Sequence, residues 1–147
     1  MPNVDLAIAH RVTVDATRKA MLEAADDWKG TPYLYGGNSS DGIDCSHFVY
    51  QVLNAARQKA ALPGLTPQLI DYRSTDTIEA SGLFFPVTTP EVGDLVLWDG
   101  HVGIVTDPQL GRFVGAQTST GVAEAIYTSG YWADHKGRRF VRFVHFF

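Results

Sequence analysis

One cysteine, Cys45, stands among 147 residues. A single thiol excludes an internal disulfide and any zinc site built on cysteine pairs, and it leaves the redox compartment open. No apolar run approaches the length of a membrane-spanning helix. The start, Met1 to Ala7, lacks the basic region and long apolar stretch of a secretory signal, so any export would need a signal already removed or another route. Internal repeats, low-complexity tracts and linkers are absent, and one domain over residues 1–147 is expected. Charge is sparse too: 12 Lys+Arg against 16 Asp+Glu give a net charge of −4. The one basic patch, Lys136-Gly137-Arg138-Arg139, is too short for a nucleic-acid footprint, and neither nucleic acid nor membrane is an expected partner.

What is present is a soluble globular profile, 45% hydrophobic and 19% charged, long enough to bury its own core. A first helix is expected from about Val14 to Trp28, with Val14, Met21, Ala25 and Trp28 on one face and Arg18, Lys19, Glu23 and Asp26 elsewhere. Lys29-Gly30-Thr31-Pro32 ends it. A second helix spans roughly Cys45 to Lys59, with Phe48, Val49, Val52, Leu53 and Ala56 as its apolar stripe. Pro63-Gly64 then breaks the chain, and Thr66-Pro67 starts a short third helix with Leu69 and Ile70 inside. After Pro86 the pattern is that of strands: Gly93 to Trp98, His101 to Val105, Arg112 to Gln117, Gly121 to Tyr127 and Arg139 to Phe146. Asp99-Gly100 between two apolar runs signals a hairpin. Helices first and a meander second give an α+β fold, the cysteine helix packed on an antiparallel sheet of four to six strands.

The chemistry gathers in the loop Gly36-Gly37-Asn38-Ser39-Ser40-Asp41-Gly42-Ile43-Asp44-Cys45-Ser46. It delivers the only thiol to the first turn of a helix, where unpaired N–H groups and the helix dipole favour thiolate over thiol. Cys45 also heads the apolar stripe of that helix, so the thiol points toward whatever the helix packs on. The general base is His101, where the Asp99-Gly100 turn opens into a strand. A cysteine nucleophile with a histidine base is the expected chemistry. The loop lacks the Gly-Lys-Ser/Thr ending of a phosphate cradle. Cys45 and His47 have no further ligands at zinc spacing, so no metal or cofactor is expected. His10, His135 and His145 sit in no motif and are read as structural.

Four segments in order, Gly30-Thr31-Pro32-Tyr33-Leu34-Tyr35-Gly36-Gly37, Gly42-Ile43-Asp44-Cys45-Ser46, Val92-Gly93-Asp94-Leu95-Val96 and His101-Val102-Gly103-Ile104, resemble the NlpC-type cell-wall cysteine peptidases of the papain-like superfamily. The tail Ser129-Gly130-Tyr131-Trp132 with Arg138-Arg139-Phe140-Val141 resembles that family's closing segment, so the likeness runs from about Val14 to Phe143. It implies a papain-like fold and a peptidoglycan-hydrolysing peptidase or amidase. Such enzymes cut stem-peptide amides through an acyl-enzyme, commonly between D-glutamate and the following diamino acid. By position, Cys45 resembles the nucleophile and His101 its base. Tyr33 matches a tyrosine near the oxyanion, and Asp44 and Ser46 match the substrate-binding end, with His47 beside them in the cleft.

Two positions depart from that family's pattern. His47 replaces the usual glycine after Cys-Ser. The third catalytic position, usually histidine, is Gly115 in Phe113-Val114-Gly115-Ala116-Gln117. Strand side chains alternate, so Gln117 projects from the face of position 115 and is the candidate to orient His101; the Gly115 carbonyl is the alternative. Acyl transfer with the same Cys-His site, or a decayed wall-binding module, are the rival readings. The expected setting is the periplasm or cell wall, as a housekeeping enzyme, a phage component or a bacteriolytic effector. The expected state is a monomer, with an immunity or inhibitor protein as a partner to consider.

Overall fold

The computed structural model describes residues 2–61 and 67–147, with side chains from residue 6 onward. Helix α1 (Pro2–Trp28) and helix α2 (Cys45–Ala60) bracket a two-stranded ribbon, β1 (Asn38–Ser39) and β2 (Gly42–Ile43). Then follow β3 (Phe84–Val87), β4 (Leu95–Trp98), β5 (His101–Asp107), β6 (Arg112–Gln117), β7 (Gly121–Ile126), the short helix α3 (Gly130–Asp134) and β8 (Arg139–Phe143). The last six strands form one antiparallel sheet in the order β3-β8-β4-β5-β6-β7.

Each face of the sheet buries its own cluster. Leu95, Leu97, Val102, Ile104, Val114, Ala116, Val141 and Phe143 pack against α1 and α2 through Met21, Ala25, Phe48, Val49, Val52 and Leu53. The alternate residues Val96, Trp98, Val105, Phe113 and Tyr127 bury a smaller cluster on the other face, covered by Trp132 of α3 and Phe140. Alternation of side chains along each strand separates the two. In the β4–β5 hairpin Trp98 pairs with His101 across the two-residue Asp99-Gly100 turn, and Gly100 takes φ 81° there.

Several expectations need correction. Helix α1 begins at Pro2 rather than Val14. Its first turns leave Leu6, Ile8 and Val12 exposed, so no apolar face marked them as helical. Arg18, expected off the helix's apolar face, is nonetheless buried and joins Arg142 on Asp94, which is 0% exposed. This ion cluster ties α1 to β4 and β8. The break at Pro63-Gly64 and the Thr66 start of a third helix lie outside the described residues. Pro67–Ile70 is not helical, and the next turn is a 3-10 turn at Thr75–Thr77. Strand β3 was missed because Pro86 reads as a breaker, although an edge strand tolerates proline. The final strand stops at Phe143 and passes into a 3-10 turn at Val144–Phe146.

Candidate active site

Asp44 sets the geometry around the thiol. It is the N-cap of α2, its carboxylate accepting from the His47 N–H at 2.9 Å. That satisfies one orphan donor of the first turn and leaves the N–H of Cys45, the first helical residue, without an intrahelical partner. The same carboxylate accepts from the Gly36 N–H at 3.0 Å, meets His47 Nδ1 at 2.8 Å and accepts from Ser46 Oγ at 3.3 Å. The glycine loop is thereby pinned to the helix start, and Cys45 is buried at 8% exposure.

His101 opens β5 and is likewise buried. Its ring stacks on Trp132 with centroids 4.5 Å apart and planes at 24°, and it lies against Trp98 and Phe113. Burial in this aromatic pocket, with the charge of His135 acting in the same direction, pushes His101 down to about 4. The imidazole is therefore neutral at pH 7, the state in which a base can accept a proton. Nε2 is sealed from solvent and has no hydrogen-bond partner, which leaves Nδ1 as the nitrogen available to the cavity.

Cys45, His101, Tyr33 and Gln117 wall one cavity of about 570 Å³. Burial, and secondarily the nearby Cys45, push the Tyr33 hydroxyl up, so it remains a donor at neutral pH. Gln117 does project from the face of Gly115: a Cβ built on Gly115 would lie 2.6 Å from Gln117 Oε1 and 3.4 Å from His101 Nε2. Both atoms thus lie around the position a side chain at 115 would take. Gln117 Nε2 donates to the Ala123 carbonyl at 3.1 Å, while Oε1 is buried and unpaired.

Not every expected residue reaches this cavity. Ser46 and His47 each bond to Asp44, and Tyr72 covers them: its ring stacks on His47 at 3.9 Å and its hydroxyl meets Ser46 Oγ at 2.7 Å. Other residues at the site went unmarked. His135, read as structural, lines the cavity with Tyr131 and Trp132. Trp132 belonged to the closing segment, but its stacking on His101 could not be read from the motif. Thr75, whose Oγ1 lies 3.5 Å from Cys45 Sγ, sits in a stretch without periodicity. Among the described residues no cluster of side chains suited to a metal ion occurs, and no helix is long and apolar enough to cross a membrane.

A helix-borne thiol and a sheet-borne imidazole walling one cavity define the class, a papain-like cysteine-histidine fold. Residues 30–140 match the model of the NlpC/P60 family, and the chain belongs to that family. It is 35% identical over 124 residues to the murein DD-endopeptidase MepS/murein LD-carboxypeptidase of Escherichia coli K12, covering 81% of this chain and 59% of that one. The chain thus spans somewhat over half the length of that relative. It is 31% identical over 134 residues to the "Probable endopeptidase NlpC" of the same organism, covering 89% and 80%. Among solved structures, the NlpC/p60 domain of the peptidoglycan hydrolase SagA superposes with a TM-score of 0.59 at 25% identity, covering 84% of this chain and 96% of that domain.

Proposed function

We propose that this chain is a cysteine hydrolase of peptidoglycan, cutting stem-peptide amide bonds at the cell wall or in the periplasm. One observation carries the reading: the chain's only thiol and a neutral imidazole share one cavity. A decayed binding module would not need that pair. The family membership and the names of the endopeptidase relatives support the substrate class.

In this mechanism Cys45 Sγ attacks the amide carbonyl carbon while its proton passes to His101 Nδ1. The C–S bond forms, and the carbonyl oxygen takes the negative charge. The Cys45 N–H and the Tyr33 hydroxyl hold that oxyanion; one such donor is typically worth about 3 kcal/mol. His101 returns the proton to the leaving amine, and water then hydrolyses the thioester by the same route in reverse. Gln117 orients the base. By accepting the Nε2–H it keeps the lone pair on Nδ1, the tautomer a base requires. The link closes by rotation of the Gln117 side chain or through one bridging water.

The bond proposed is that between D-glutamate and the diamino acid. The DD-endopeptidase name of the 35%-identical relative favours a second choice, an amide between two D-centres. Mass spectrometry of peptidoglycan digested by the purified chain tests both. Products ending in D-glutamate support the first and uncross-linked stems the second. Products carrying an added amine indicate acyl transfer, and an unchanged muropeptide profile overturns the hydrolase reading.

A further inference from the structure

The segment from Gln68 to Glu79 carries no motif, yet it runs along α2 from its last turns to its first. The Asn54 side chain bonds the Ile70 backbone in both directions, at 3.1 and 2.9 Å, and Arg57 donates to the Gln68 carbonyl at 2.6 Å. Tyr72 stacks on His47, sets its edge against Tyr50 at 5.6 Å and reaches Ser46 with its hydroxyl. Beyond it Ile78 is fully buried in the main core, and Glu79 accepts from Arg139 at 2.8 Å. Between these anchors the 3-10 turn Thr75–Thr77 brings the Thr75 hydroxyl to 3.5 Å from Cys45 Sγ. Among the described residues this is the only hydrogen-bond partner of Sγ, and Sγ is the only partner of that hydroxyl.

Resting on the reading of Cys45 as nucleophile, we propose that Thr75 is a further catalytic residue whose hydroxyl donates to the Cys45 thiolate, held in place by the Tyr72–His47 stack. A donor to an ionised sulfur favours the ionised form. In the mechanism above the Cys45 proton passes to His101, and a hydroxyl 3.5 Å from Sγ can stabilise the thiolate that this transfer forms. His47 gains a purpose by the same argument. Its imidazole is the platform on which Tyr72 lies, so it positions Thr75 through Tyr72. The titratable groups around Sγ are His101, Asp44, Tyr33 and Tyr72. Both tyrosines are pushed up, chiefly by burial, and stay protonated from about pH 5 to 9, below the ordinary tyrosine range.

Alkylation of Cys45 by iodoacetamide against pH, run beside muropeptide release and a thermal melt, tests the proposal. Thr75→Val keeps the shape and removes the hydroxyl. Its alkylation midpoint should rise by about half to one pH unit, with turnover at neutral pH about three- to tenfold lower. Thr75→Ser should stay within about twofold of wild type, and His47→Gly should move the midpoint the same way by less. An unmoved midpoint in Thr75→Val overturns the proposal even if turnover drops, because a purely structural wall would act that way. Should the wild-type chain fail to digest peptidoglycan, the function reading fails, but the alkylation comparison still decides the role of Thr75.

Discussion

The two sides of Cys45 are built on opposite rules. On the helix side the polar side chains next to the thiol have partners: the Asp44 carboxylate takes part in four contacts, Ser46 bonds both Asp44 and Tyr72, and His47 lies between Asp44 and the Tyr72 ring, while further along α2 the Tyr50 hydroxyl is buried without one. On the sheet side two buried polar atoms, His101 Nε2 and Gln117 Oε1, lie around the position a Cβ on Gly115 would take and have no partner. Unpaired buried polar atoms cost about 1–3 kcal/mol each, so each calls for an explanation. On the proposed function, the helix side holds the thiol in place and the sheet side keeps hydrogen-bonding capacity free for the base.

That contrast can be broken residue by residue. The largest effect after loss of the nucleophile belongs to the base. His101→Ala should lower turnover by about 10²- to 10⁴-fold, the range for a general base, read as muropeptide release per unit time. A loss below tenfold would move the base elsewhere. Next comes Gln117→Ala, expected to cost about ten- to a hundredfold in kcat with little change in KM, since the lost contact acts on the imidazole. Gly115→His should partly restore that variant. In the native site its Cβ would collide at 2.6 Å with Gln117 Oε1, and truncation to alanine clears that position. Activity of Gln117→Ala within twofold of wild type would leave the Gly115 carbonyl as the orienter.

A further effect, on stability rather than turnover, is one of pH. From about pH 7.5 upward His101 is neutral both folded and unfolded, and its contribution does not vary with pH. As pH falls from there, the unfolded chain takes up a proton that the folded site refuses until about 4. Stability is therefore lost through that window and levels off below it, by about 3 kcal/mol in all. Urea melts from pH 7 to 4 should show this loss, and His101→Ala should reduce it. An equal pH dependence in the variant would place the titration in another group.

The same division governs how much the sequence reveals. The α2 stripe, the hairpin at Asp99-Gly100 and the Cys45 and His101 positions were legible because each is local: a period, a turn dipeptide, a helix start. The shared face of Gly115 and Gln117 followed from strand alternation alone. What stayed hidden depends on contacts between distant residues. Thr75 lies 30 residues from the thiol it meets, and the Tyr72 ring that covers His47 comes from an aperiodic stretch. Asp44 looked like a substrate ligand because the pattern names its position; its bonds to Gly36, Ser46 and His47 appear only once the loop is folded. The early turns of α1 were invisible for the converse reason, since exposed Leu6, Ile8 and Val12 pack on nothing that would impose a period.

Cys45→Ala tests the central claim most directly. The substitution removes one sulfur atom from a buried position at the head of α2 and leaves the Asp44 cap intact. Muropeptide release should fall to background while the thermal melt stays near wild type. Release at the wild-type rate by a folded Cys45→Ala protein would contradict the account, because no other thiol exists in the chain to carry the acyl group.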